Sequence, residues 1–209
     1  MKLIYTSILC LLVVCLFTAC SSDKKPAAET SPPLEKEAPA ERAAPAPDAD
    51  VVSYEKQLAS GNMHFLVTTT GEGSMRHLAI QLERAGQPSS RIDEEVEGTV
   101  TNSVLTDLNG NNKPELLVFL NGSGTGSYGR IYGYEFESQY WGPLQMPDLT
   151  AQQLQGYLGH DEFQVADGRL VRTFPVYQDT DANCCPTGGK RTLFYTLNNA
   201  LQFVVERVE

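Results

Sequence analysis

The chain has 209 residues, with 26 acidic and 16 basic side chains and a formal net charge of −10. That balance argues against a nucleic-acid partner, because phosphate binding depends on lysine and arginine neutralising the backbone. It favours a cationic protein partner, which a net negative field steers toward the surface.

At the N-terminus Lys2 is followed by an uncharged run from Leu3 to Leu16. The run is shorter than the roughly twenty apolar residues needed to cross a bilayer, so it reads as the core of a secretory signal. Leu16-Phe17-Thr18-Ala19-Cys20 resembles the lipobox at which bacterial lipoproteins are cleaved and acylated. Residues 1–19 are therefore expected to be a lipoprotein signal peptide and Cys20 the lipidated residue, with the acyl chains as the only contact with the membrane. Two or three acyl chains anchor stably where one does not. Ser21 and Ser22 follow, with no aspartate next to Cys20, and the expected location is the outer membrane. Residues 20–50 hold six of the twelve prolines and one large aliphatic residue, Leu34. Such a segment cannot bury a core and reads as a semi-extended spacer.

Residues 51–209 remain as one domain, long enough for a single hydrophobic core. It carries 19 acidic and 11 basic residues, a net of −8. Short runs rich in β-branched and aromatic residues predict strands at 64–69, 78–83, 99–105, 115–120, 130–136, 169–174, 191–197 and 202–208. Asn109-Gly110, Asp167-Gly168, Gly188-Gly189 and Asn198-Asn199 supply turn chemistry between them. Ile131, Gly133 and Glu135 alternate with Tyr132, Tyr134 and Phe136, a period of two with one aromatic face. Met75 to Leu82 is also compatible with a helix, and Thr150 is a candidate cap for a short helical turn through Leu154. The pattern as a whole predicts an all-β domain, an antiparallel β-sandwich or barrel of about eight strands.

Within it, Asn121-Gly122-Ser123-Gly124-Thr125-Gly126-Ser127-Tyr128-Gly129 joins two predicted strands with four glycines, four hydroxyls and no charge. No Lys-Ser or Lys-Thr pair follows, which excludes a phosphate-binding loop. Two readings remain: a flexible surface hairpin, or a protruding loop able to enter a narrow cleft. Upstream, Asp107, Asn109 and Asn111 imitate the first three ligands of an EF-hand, but Asn112 stands where its glycine belongs and Val118 where its bidentate glutamate belongs. An Asx-stabilised turn is expected there rather than a metal site. Cys184 and Cys185 are adjacent. A bond between them would close too small a ring to stabilise much, and the sequence leaves their pairing open. Two thiolates without a histidine pair do not make a zinc site. His64, His77 and His160 have no nucleophile signature around them, the carboxylates Asp161 and Glu162 read as a polar strand start, and nothing calls for a cofactor.

The loop Ser123-Gly124-Thr125-Gly126-Ser127-Tyr128-Gly129, preceded by Asp107-Leu108-Asn109-Gly110 and Pro114-Glu115-Leu116, resembles the periplasmic inhibitors of invertebrate-type (i-type) lysozyme. The similarity continues through 156–163, 168–177 and 186–191, in order and in spacing. It covers roughly residues 100–197. The resemblance implies a β-sandwich that is not an enzyme, whose Ser/Gly/Tyr loop enters the lysozyme cleft, with Tyr128 as the aromatic anchor and Thr125 as the hydroxyl three residues before it. Family members commonly have serine at the Thr125 position and lack the membrane tether. A calcium-dependent adhesion or scaffold module built on the Asp107 turn, and a hydrolase, are the rival readings from other classes.

Overall fold

The structure is a computed structural model that describes residues 51–138 and 140–209; the signal, Cys20 and the spacer lie outside the described residues. Period-two alternation builds the first sheet from β1 (Val52–Ser60), β2 (Met63–Thr70), β3 (Met75–Arg84) and β4 (Gln87–Glu97), an antiparallel meander in chain order. Phe65, Val67 and Thr69 point inward from β2 and Leu78, Ile80 and Leu82 from β3. Ala85 and Gly86, both at positive φ (47° and 76°), make the tight turn between β3 and β4 that matches strand twist.

The second sheet is β5 (Thr99–Thr106), β6 (Glu115–Asn121), β7 (Gly129–Glu137) and β8 (Tyr140–Pro143). The third contains β9 (Glu162–Ala166), β10 (Arg169–Pro175), β11 (Lys190–Leu197) and β12 (Phe203–Val208), in the order β12-β11-β10-β9. All the pairings within the three sheets are antiparallel.

β6 explains the layering. Residues 115–120 are all buried, the continuous pattern of a strand covered on both faces. Leu116, Val118 and Leu120 join Phe65, Val67, Leu78, Ile80 and Ile92 in one core. Leu117 and Phe119, on the opposite face, join Leu170, Phe174, Leu193 and Tyr195 in a second. The second sheet is thus the middle of a three-layer β stack, and each fully buried leucine in it contributes roughly 1.5–3 kcal/mol. The predicted aromatic face of β7 is present: Tyr132, Tyr134 and Phe136 pack toward the first core while Ile131 packs toward the second. Side chains also tie the first and second sheets, through Tyr54 Oη to Ser103 Oγ (2.9 Å) and Lys56 Nζ to the Ser103 carbonyl (2.7 Å).

The all-β antiparallel class is as expected, but twelve strands in three sheets replace about eight in a two-layer sandwich. β1 and β4 escape prediction because they are the edges of the first sheet and bury little; β4 turns only Ile92 and Val96 fully inward from a run crowded with charges. β8 and β9 are four and five residues long, too short to show a period. The segment 75–82 is strand, not helix, since β3 is paired on both sides. The Thr150 cap forms, with Gln153 N donating to Thr150 Oγ1 (3.3 Å) and Thr150 N to Gln153 Oε1 (2.8 Å), yet it closes only a turn. Gly156 at φ +68° ends it and Tyr157 bridges Val176. Asp167-Gly168 turns as expected, with both residues at positive φ, whereas in the β11–β12 hairpin Leu201 takes the positive φ and Asn198 serves as acceptor for Ala200 N and Gln202 N.

The Asx turn before β6 is present. Asp107 accepts the amides of Asn111 and Asn112, both at 3.0 Å, and Asn109 Oδ1 accepts Asn111 N at 3.1 Å. Below it, burial pushes the Glu115 carboxyl above the usual carboxylate range; the Leu108 and Asn109 amides oppose the shift and the charges of Asp107 and Glu135 add to it.

Candidate binding loop

The β6–β7 connection is a pinned hairpin rather than a flexible one. Gly122 N donates to the Tyr128 carbonyl and Ser127 N to the Gly124 carbonyl, each at 2.9 Å, with Ser127 at φ +42°. The loop then leans on the segment entering β9: His160 N donates to the Gly126 carbonyl (2.6 Å) and Gly129 N to Asp161 Oδ2 (2.7 Å). Its glycines serve close approach more than freedom. A Cβ on Gly126 would lie 2.7 Å from the Leu158 carbonyl, and one on Gly129 would lie 2.5 Å from both Asp161 and Phe163. On the facing side, Gly159 sits at φ +89° where a Cβ would come within 2.0 Å of the Gly126 carbonyl.

A buried charge pair holds the base. The Asp161 side chain is fully buried and that of Arg172 is 11% exposed, with Arg172 Nε donating to Asp161 Oδ1 at 2.7 Å. Tyr157 Oη donates to Asp161 Oδ2 (2.7 Å) and accepts from an Arg172 terminal nitrogen (2.8 Å). With Gly129 N, the carboxylate accepts three kinds of donor, which is how a buried charge is accommodated. The guanidinium lies 5.3–5.6 Å from the ring centroids of Tyr157, Phe163 and Phe174. Burial raises the Tyr157 phenol above the usual tyrosine range, and its bond to Asp161 adds to that. For Arg172, burial lowers the guanidinium but Asp161 more than offsets it, leaving it raised.

What the loop presents to solvent is its tip. Ser123, Gly124 and Thr125 are exposed, and Tyr128 is 47% exposed with its ring edge-on to Tyr157, centroids 5.5 Å apart. Thr125 and Tyr128 border a shallow cavity of about 110 Å³ shared with Leu158, His160, Tyr177 and Asn183. Leu158 is itself 41% exposed, so the tip stands beside a small apolar and aromatic patch. A larger depression, about 330 Å³, lies on the first sheet around Gln57, His64, Gln81 and Glu83.

The chain segments 156–163, 168–177 and 186–191 converge beside this loop. Tyr177 N donates to the Gly156 carbonyl (2.8 Å), Gly188 N to the Val176 carbonyl (2.9 Å), and Arg191 to the carbonyls of Gln153 and Gln155 (2.7 and 2.8 Å). Cys184 and Cys185 are free thiols, both exposed, in a neighbouring loop tied by Asp181 to the amides of Gln178 and Thr187. Those amide bonds hold the Asp181 carboxyl below the usual range. Of the carboxylates Asp161 and Glu162, the first is engaged by Arg172 and Tyr157 and the second is exposed. Sequence reading gave no role to Tyr157 or Arg172. The available sign was Arg172 itself, a charge in register with core-facing Leu170 and Phe174 on β10.

Compared with protein-family models, curated proteins and solved structures, the chain matches none.

Proposed function

We propose that the domain inhibits a lysozyme of the invertebrate type by placing the loop Ser123–Gly129 in the enzyme's active-site cleft. The observation that carries the reading is the loop's construction: a neutral tip of exposed hydroxyls and a half-exposed tyrosine, locked to a buried charge pair. A loop ordered before contact loses little entropy on binding, which favours affinity. Hydroxyls and backbone amides can bond to groups that otherwise hold substrate sugars, so occlusion requires no chemistry from the inhibitor. The net charge of −8 on the domain suits a cationic target and speeds encounter. The similarity of sequence blocks to i-type inhibitors supports the same target class. The test is cell-wall lysis by an i-type lysozyme with and without the purified protein; full activity at large molar excess of protein would remove the reading.

The same proposal places the domain at the outer membrane, tethered through acylated Cys20 and the proline-rich spacer. Cys20→Ser is expected to move the protein from the membrane fraction to the soluble fraction. Mass spectrometry that finds mature protein still starting at an unmodified Met1 would contradict the lipoprotein assignment.

A further inference from the structure

The tip of the binding loop is too small to hold a protein partner by itself. Its exposed residues are Ser123, Gly124, Thr125 and Tyr128, whereas a stable protein–protein interface takes about 800 Å² and roughly 20–30 residues from each side. The surface around the tip must supply the rest. The core of such an interface is poor in charge. In a domain of net −8, residues 121–129 are one uncharged stretch and residues 149–159 are another. The two meet, since the second ends where His160 N donates to the Gly126 carbonyl.

That second stretch carries Leu154 and Leu158, 48% and 41% exposed, and among the described residues they are the only exposed leucines. Neither is loose. Arg191 Nη1 donates to the carbonyls of Gln153 and Gln155, on either side of Leu154, and Leu154 N donates to the Thr150 carbonyl (2.9 Å). Tyr157 turns inward, to Asp161 and to the ring of Phe174 (centroids 4.6 Å apart), and Leu158 next to it stays outside. Gly156 and Gly159 bracket this pair at φ +68° and +89°, and a Cβ on Gly156 would lie 2.5 Å from the Tyr177 carbonyl. Such close approaches fix the backbone, so Leu158 cannot be rotated into the core without breaking them. Leu158 also borders, with Thr125 and Tyr128, the cavity of about 110 Å³ beside the loop. Contiguous apolar groups held in water mark an interaction surface.

We infer that Leu154 and Leu158 form a second contact on the target, seated against an apolar, uncharged rim of the lysozyme cleft while the loop tip enters it. The inference rests on the lysozyme reading and deepens it, by naming the surface that supplies the area the tip lacks. Tyr128 takes the centre of the contact and the leucines exclude water around it, the arrangement in which a central aromatic contributes most. Because the backbone of both leucines is already clamped, ordering this flank costs little on binding. The division of labour is kinetic: the acids elsewhere on the domain speed encounter, and the leucines slow dissociation.

The experiment measures inhibition of an i-type lysozyme, and the association and dissociation rates of the complex, with the purified full-length protein and its variants. Leu154→Ser and Leu158→Ser should each raise the inhibition constant about tenfold, and the double variant about a hundredfold. The loss should lie in faster dissociation, with association and its salt dependence unchanged. Val204→Ser, on β12 and equally exposed at 48%, is the control and should inhibit like the parent. The leucines are half-exposed, so the variants should unfold within about 2 °C of the parental Tm. Leu158→Gln repeats the test at similar side-chain volume, and Leu158→Met, which stays apolar, should keep inhibition near the parental level. Parental inhibition by the double variant, in an assay where Tyr128→Ala is impaired, would overturn the second contact and leave the lysozyme reading standing. An equal loss in Val204→Ser would overturn it too. No inhibition by the parent would remove the lysozyme reading and this inference with it.

Discussion

Asp161→Ala is expected to cost the domain about 3–5 kcal/mol of unfolding free energy, because it leaves the Arg172 guanidinium buried without a counter-charge. The substitution also removes the acceptor of Tyr157 Oη and of Gly129 N, so the binding loop loses its attachment at the β7 end. Asp161→Asn keeps an oxygen but not the charge and should fall between parent and alanine variant. The double change Asp161→Leu with Arg172→Met should recover much of the loss, since a well-packed apolar pair often replaces a buried ion pair at little cost. Denaturant unfolding measures the stability, and hydrogen exchange at the Gly129 amide reads the loop. A loss below about 1 kcal/mol for Asp161→Ala, with Gly129 still protected, would mean that the charge pair does not hold the loop.

Tyr128→Ala should weaken lysozyme inhibition by about 2 kcal/mol or more, roughly thirty-fold in the inhibition constant. Its effect on folding should be small by comparison, because the ring is 47% exposed and its main aromatic contact is the edge-on one with Tyr157. Such a contact is worth about 0.5–1.5 kcal/mol. The two substitutions therefore separate binding from architecture: Asp161→Ala lowers stability and inhibition together, whereas Tyr128→Ala lowers inhibition in a domain that still unfolds near the parental midpoint. Thr125→Ala should cost less than Tyr128→Ala, and Thr125→Ser should be neutral or improve binding where the methyl is crowded. If Tyr128→Ala inhibits like the parent while high salt alone disrupts the complex, surface charge rather than loop insertion is the mechanism.

Local chemistry was sufficient for much of this protein. Alternation around Tyr132, Tyr134 and Phe136, the turn pairs Asn109-Gly110 and Asp167-Gly168, and the density of β-branched residues are short-range signals, and they specify strands whatever those strands later pack against. The Asx turn at Asp107 was legible for the same reason, since its bonds span five residues or fewer. The third layer was not. Residues 116–120 read as an apolar run, but only the presence of a sheet on each side makes Leu116 and Leu117 face different cores. Composition likewise suggested a flexible Gly/Ser loop, and tertiary contact decided otherwise: the bonds that pin it come from His160 and Asp161, more than thirty residues downstream. The pairing of Asp161 with Arg172 and of Glu115 with Glu135 depends on strand register, a long-range property set when sheets form, so the sequence determined which groups were present and the fold alone determined which of them meet.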